Sequence, residues 1–378
     1  MFKILSYSLI ILFVGKLSYA AEKEAERHDY IEHHTFTVPR EKLSEDREKR
    51  RSFLDDYFCE TLASAVKDTS GEWRIGLLKP NCSDFFIDPE IKHNSEIWGG
   101  IKELSEISYF YRDVGTVFES FNDNWTLLSW AKKWTHYKQS SPLLHHQTLT
   151  ILHLDDHEDL MNPRVCIRED RMFDMITKQE IELSNPALVE SALISGAIGI
   201  GSFIPPFLFA LQDTNIQLRH LSERYVDRRS CIQKIHLKKI EDNFLEEEAI
   251  RLCLHRVNID ELGDSDSKHC YYVTSNSDEF LSDIPDGPIF IHFDMDYFND
   301  RFDGCSRWEE EGRCHNPSLP QVMERLDSFL DKLMHFDIKD RIISITVAVS
   351  PGFFPSEMWG QSTQRIRDFF NGAASTDP

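Results

Sequence analysis

The chain is short of basic charge. Against 64 aspartates and glutamates it sets only 42 lysines and arginines, for a formal net charge of −22. Nucleic acids and anionic membrane faces bind through basic surfaces and counterion release, so neither is expected as a partner. The 8 cysteines include no Cys-x-x-Cys spacing, which argues against a zinc knuckle or a thioredoxin-like redox site. No glycines follow the Gly-x-Gly-x-x-Gly spacing that opens a dinucleotide-binding helix. Beyond the N-terminus no segment has the length and apolarity of a transmembrane helix, so stable membrane insertion is not expected. There is also no internal repeat.

What is present begins with a leader-like segment. Lys3 precedes an apolar run from Ile4 to Val14, and small residues stand at Ser18 and Ala20, the pattern of a secretory signal peptide over residues 1–20. That reading expects a mature protein in the secretory pathway or outside the cell. An even cysteine count suits such an oxidising space. Cys305 with Cys314 is the simplest disulfide, Cys253 with Cys270 is another, and the connectivity stays open. Asn81-Cys82-Ser83 and Asn124-Trp125-Thr126 match the N-glycosylation acceptor pattern. Residues 21–55 are dense in charge and read as a solvated, mobile arm. With 378 residues and 41% hydrophobic content the chain can bury a large core. Residues 56–370 read as one α/β domain, with 56–115 a candidate N-terminal cap.

The chemistry concentrates after a buried strand predicted over residues 148–154, where Thr148-Leu149-Thr150-Ile151 is β-branched and apolar. Asp155, Asp156, His157, Glu158 and Asp159 follow it directly. Such a cluster is foreign to a sheet interior, where an unpaired charge costs several kcal/mol. A divalent ion would remove that cost, and mixed oxygen and imidazole donors suit manganese, iron or zinc. Two-residue strand geometry starts Asp155, His157 and Asp159 on one side and Asp156 and Glu158 on the other. The plainer alternative is a polar loop that caps a strand. A second apolar strand, Pro288–Phe298, carries Asp294-Met295-Asp296, with both carboxylates on one face. Together the two stretches offer five ligands, enough for two ions with shared carboxylates, and open parallel sheets place their sites at the carboxyl ends of strands.

Elsewhere, helical spacing runs over Phe53–Val66, Leu127–Trp134 and Leu319–Leu333, and short strands are predicted over Trp73–Leu78 and Ile342–Val349. Asn185 caps a helix over Ala187–Ala197 with Pro186 at its first position. Gly199–Pro206 reads as a strand-like segment ending in a turn, and Glu241–Leu254 as an acidic helix. Alternating strands and helices imply a mostly parallel sheet covered on both faces.

These motifs resemble those of the arginase-like metallohydrolases, and most closely the peptide arginases and their relatives. That group carries D-x-H-x-D and a later D-x-D, each at a strand end. Its wider first motif is close to H-x-D-x-H-x-D-L, which His153 to Leu160 reproduces. The Gly-x-Gly-Ser-Phe-Ile-Pro-Pro segment behind an apolar helix, and the strand ending in Ser350-Pro351-Gly352, are similar as well. The likeness covers roughly residues 115–360 and is specific at the two metal motifs.

The resemblance implies a three-layer α/β/α fold with a mostly parallel sheet, as in arginases and deacetylases, and two manganese ions. Carried over by position, Asp155 and Asp294 bridge or approach both ions, Asp159 binds one, and His157 and Asp296 bind the other. It further implies hydrolysis of carbon–nitrogen bonds by a metal-activated hydroxide, with a peptide or small guanidino compound as substrate. Peptide-bound arginine would give ornithine and urea. The family's upstream histidine ligand has no counterpart in Asn122–Trp130, where Asp123 is the candidate oxygen ligand; His93, His136, His145 and His146 are the other upstream histidines. Glu357 is a candidate carboxylate for the guanidinium, and His315 a candidate proton shuttle. Two further readings share the scaffold: a deacetylase-like amidohydrolase with one zinc, and a binding protein without catalysis.

Overall fold

The computed structural model describes residues 31–58, 62–79, 88–140, 147–225, 231–246, 249–258, 268–302 and 315–372. The expected leader, the Asn81 sequon, His145, His146 and the Cys305–Cys314 pair lie outside the described residues. The chain divides into two units, Met1–Phe85 and Phe86–Pro378.

In the first unit, β1 (Ile31–Val38), α1 (Arg47–Tyr57), β2 (Leu62–Lys67) and β3 (Trp73–Lys79) follow in order. The strands form an antiparallel sheet ordered β1-β3-β2. This corrects the mobile-arm reading for residues 31–55. Phe36 and Val38 stand two residues apart on β1; Val38 is buried, and Phe36 packs on Phe58. Asp46 caps α1 by accepting from the Lys49 amide at 3.0 Å, and the helix's many charges are exposed around a buried Leu54. The helix ends at Tyr57 and β2 follows, so the helical spacing over Phe53–Val66 was overridden by sheet pairing. The unit boundary lies at residue 85, not at 55.

The second unit contains α2 (Ile91–Gly99), β4 (Tyr111–Val114), β5 (Val117–Ser120), α3 (Thr126–Ser140), β6 (Leu149–Leu154), β7 (Val165–Arg168), β8 (Arg171–Asp174) and β9 (Glu180–Ile181). Then come α4 (Pro186–Ser195), α5 (Ile204–Ala210), β10 (Ile216–Leu221), β11 (Cys231–Asp242), β12 (Ala249–Asn258), β13 (His269–Thr274) and α6 (Ser277–Leu281). The unit closes with β14 (Ile289–Asp294), α7 (Leu319–His335), β15 (Ile342–Ala348) and α8 (Trp359–Gly372). Among the described residues no helix is long and apolar enough to cross a membrane.

The fold is α/β, built on a mixed 12-stranded sheet in the order β4-β5-β15-β14-β6-β10-β13-β11-β12-β7-β8-β9. The central strands β5, β15, β14, β6, β10 and β13 are all parallel to their neighbours in that run. Both flanks are antiparallel, which corrects the expectation of a mostly parallel sheet. The expected acidic helix over Glu241–Leu254 is instead the turn and second strand of the β11–β12 hairpin. Residues 249–258 pair along their length with β11, and this cross-strand pairing outweighs the helix-forming glutamates before it.

Phe290 and Phe293 of β14, three residues apart, meet helices on opposite sides of the sheet. Phe290 packs on Trp130 of α3 and Phe207 of α5, while Phe293 packs on Phe329 of α7 and Phe370 of α8. Asn185 caps α4 by accepting from the Ala187 amide, with Pro186 in the first turn as its fixed φ favours. Pro205 and Pro206 likewise open α5, so the strand-like reading of Gly199–Pro206 gives way to a turn followed by a helix. Cys253 and Cys270 are free. They sit on β12 and β13 with β11 between them, opposite Lys238 and Lys234 respectively, so two strand spacings of about 4.8 Å and a four-residue offset keep them apart.

His269 at the start of β13 is buried, and burial pushes its imidazole from 6.5 down to about 4. Between those values the unfolded chain binds the proton and the native chain does not, so acidification across this window destabilises the fold. His269→Phe, which keeps a planar ring, is expected to remove about 3 kcal/mol of that acid destabilisation. Urea unfolding of both proteins at pH 7 and pH 4.5 checks it; identical pH dependence would rule the assignment out.

Candidate metal centre

Five parallel strands deliver polar groups to one edge of the sheet, at their carboxyl ends. Beyond β5 lies Asp123, beyond β15 Ser350, from β14 Asp294 and Asp296, beyond β6 the run Asp155–Asp159, and beyond β10 Ser222 and Arg224. Parallel register stacks these strands in tiers. Phe290, Ile151 and Leu218 align across β14, β6 and β10, and two residues on His292, His153 and His220 align in the same way. Asp294 and Asp155 occupy the next step on the same face, so a carboxylate layer rests on an imidazole layer, which rests on apolar packing.

Local turns aim the carboxylates. Asp294 accepts from the Asp296 amide at 3.1 Å and closes the 3-10 turn Met295–Tyr297, which swings Asp296 toward the loop after β6. There Asp296 accepts from the Asp156 amide at 3.0 Å and faces His157 Nδ1 at 2.8 Å. Asp155 accepts from the His157 amide at 2.5 Å. Asp159 takes a left-handed φ of 51°, which Asp tolerates better than most residues. It is this reversal, and not a continued strand period, that brings Asp159 back to Asp155. Asp156 and Glu158 turn elsewhere: Glu158 receives both terminal nitrogens of Arg256 at 2.7 Å, and Asp156 receives Arg224 Nε at 2.5 Å.

Three groups of ligand atoms converge, each within 4.8 Å, and Asp155 belongs to all of them: with His157 and Asp296, with Asp123 and Asp294, and with His153 and His292. Burial pushes the Asp155, Asp159 and Asp294 carboxyls well above the usual carboxylate range, and repulsion from neighbouring carboxylates adds to it. Burial likewise pushes Asp123 up to about 7. For Asp296 burial acts upward too, but the adjacent His157 outweighs it and holds the carboxyl below its ordinary value. Asp155 Oδ2 and Asp159 Oδ2 have no hydrogen-bond partner. Convergent buried oxygens without donors are costly alone and fit a divalent cation, whose charge would invert the local balance. Buried His and Asp clusters here could hold a metal ion.

Ser350, in a left-handed conformation just after β15, donates its hydroxyl to Asp294, with Oδ1 at 2.6 Å and Oδ2 at 2.7 Å. The Ser350-Pro351-Gly352 turn was the only sequence signal for this contact. His153, His220, His292 and Arg224 escaped residue-by-residue reading as site components, because strand register and tertiary packing alone bring them here.

The two catalytic candidates lie outside the converging ligand groups, His315 forming an isolated β-bridge with Asp300 at the rim. Glu357 is exposed and pairs with Arg301 at 2.6 Å. His315 is exposed, and its Nε2 accepts from Arg325, which occupies the nitrogen a proton shuttle needs. His93 and His136 are exposed on α2 and α3. Asn124 is buried, and its amide nitrogen donates to the Ile198 carbonyl at 3.3 Å, so a glycan on that nitrogen is incompatible with the packing.

Removing the Ser350 hydroxyl should loosen Asp294. Ser350→Ala is expected to weaken divalent-ion binding about 10-fold to 100-fold, as loss of an orienting hydrogen bond to a ligand does. Titration calorimetry with manganese on both proteins measures it, and unchanged affinity would remove Ser350 from the centre. Compared with known proteins, the chain matches no family model and no curated protein.

Proposed function

We propose that the protein is a metal-dependent hydrolase of carbon–nitrogen bonds that acts on guanidino groups, on an arginase-type three-layer scaffold. Peptide-bound arginine, giving ornithine and urea, is the substrate class the motifs favour. The supporting observation is the convergence of three ligand groups on Asp155 at the carboxyl edge of parallel strands. Asp155, His157 and Asp296 would hold one ion, and Asp155, Asp294 and Asp159 the other, with Asp123 alongside. An oxygen-rich set with an imidazole suits manganese. Ions held there supply a water of lowered pKa and positive charge against the developing tetrahedral centre.

The chain's own residues account for the substrate preference. A guanidinium already rests at the mouth of the site. Arg224 places Nε 2.5 Å from Asp156 and Nη2 3.1 Å from Asp300 and 3.0 Å from His157 Nε2. Arginine only donates, so His157 Nε2 accepts, and His157 Nδ1 carries the proton it gives Asp296. A metal held by Nδ1 would require the hydrogen on Nε2, which would then face the Arg224 donor instead of accepting from it. Asp156 and Asp300 are the carboxylates that would receive the planar donors of a substrate guanidinium. A single-zinc, deacetylase-like reading accounts for only one of the three ligand groups. The leader-like N-terminus suggests that the activity belongs to the secretory pathway.

Urea release from an arginine-containing peptide and from free arginine, with manganese present, tests the reading. Wild type should release urea, and Asp294→Asn should lose about 10²–10³-fold, on the order of removing one transition-state charge stabiliser. Full metal loading with no urea from any guanidino compound would refute it.

A further inference from the structure

We infer that His153 supplies the nitrogen ligand of the ion position shared by Asp155 and Asp159. The inference rests on the metal-centre reading above and gives a role to the first residue of the wider motif, which the five-ligand set leaves out.

His153 Nε2 is fully buried and has no hydrogen-bond partner. It lies 3.4 Å from Asp155 Oδ2 and 3.8 Å from Asp159 Oδ2, the two carboxylate oxygens that also lack partners. These separations are long for hydrogen bonds. They suit donors around one ion, since two ligands each about 2.1 Å from a metal stand roughly 3–3.5 Å apart. His153 and Asp155 also belong to a convergent ligand group with His292.

The ring is held to present that nitrogen. It stacks between His292 and His220, with centroids 5.1 Å and 5.0 Å away, and meets the edge of Phe203. His220 is itself fixed, by the Tyr271 hydroxyl at 2.7 Å and the Asp155 carbonyl at 3.0 Å. His153 Nδ1 lies 3.0 Å from His292 Nδ1, so one of these two nitrogens carries the hydrogen. With the hydrogen on His153 Nδ1, the Nε2 lone pair points at the carboxylates. His292 then serves as the orienting acceptor that metal-bound histidines characteristically have.

Charge balance favours His153 over Asp123 for this role. Asp155, Asp159, Asp294 and Asp296 already match two divalent cations, and a fifth carboxylate would add an unbalanced charge in a buried site. A neutral imidazole adds a donor without charge. Asp123 stays beside Asp155 and Asp294 as a neighbouring carboxyl.

Manganese content and electron paramagnetic resonance on wild type, His153→Asn and Asp123→Asn test this. Wild type should hold two ions with an exchange-coupled spectrum. His153→Asn should keep one, with an isolated six-line signal and about 100-fold weaker binding at the other position, while Asp123→Asn keeps both. Two undisturbed ions in His153→Asn, or loss of one in Asp123→Asn alone, overturns the assignment and leaves the hydrolase reading standing. No ion in wild type overturns both. Should His153→Asn not fold, wild type with 15N-labelled histidine, titrated with cadmium, decides the matter. His153 Nε2 and His157 Nδ1 are expected to shift together, and a shift of His157 alone overturns the proposal.

Discussion

The cost of keeping like charges together out of water governs this molecule. Asp155, Asp159, Asp294 and Asp296 are buried at one sheet edge, and two of their oxygens meet no donor. Left bare, such carboxylates protonate or drive the loops apart. Everything around them restrains that escape. Parallel register fixes β14 against β6, the Asp294 side chain closes the turn that carries Asp296, and Ser350 pins Asp294 from β15. Beneath them lies an imidazole tier that burial keeps neutral, with His220 held down to about 4 and His292 to about 3. Neutral rings there add no charge to a site already crowded with it.

The chain treats its other buried carboxylates differently. Glu119 on β5 is fully buried, yet Arg112 reaches it at 2.7 Å and Arg367 at 2.5 Å. Asp242 takes Arg251 at 2.9 Å, and Asp174 accepts from Thr177, Ser195 and two backbone amides. Internal cations and donors are therefore available, and among the buried carboxylate oxygens of the described residues only Asp155 Oδ2 and Asp159 Oδ2 receive none. Arg224 stops at the mouth, on Asp156 and Asp300. Unpaired inner oxygens beside a paired rim distinguish a receptor for an external cation from an ordinary ion-pair network.

What could be read from the sequence follows from where the charge stood. Aspartates at the ends of apolar strands contradict burial so sharply that Asp155, His157, Asp159, Asp294 and Asp296 stood out; β6 lies within a residue of its expected bounds, while β14 ends at Asp294, four residues before the expected Phe298. Asp123 was found only through the family likeness, since nothing in Asn122–Trp130 reveals that β5 ends beside β15. Segments whose charge faces water misled. Residues 31–55 looked like an arm because their charges outnumber the few side chains, such as Val38 and Leu54, that fix the fold. The hairpin β11–β12 looked partly helical because glutamates cluster at its turn, while pairing along its length decided the outcome.

Two of the site candidates depend on contacts that the sequence does not place. Glu357 and His315 were chosen by residue type and position in the chain, and each is already engaged by an arginine, Arg301 or Arg325, whose position only the folded chain determines. His153 is the opposite case. In sequence it reads as a polar interruption of a strand, two residues before the first aspartate. Only the in-register stack with His220 and His292 reveals that its outer nitrogen has nowhere to go except toward Asp155 and Asp159. Strand register converts a spacing of two residues into a shared coordination space, and that step is tertiary. A single sequence carries the donors; the sheet decides which of them meet.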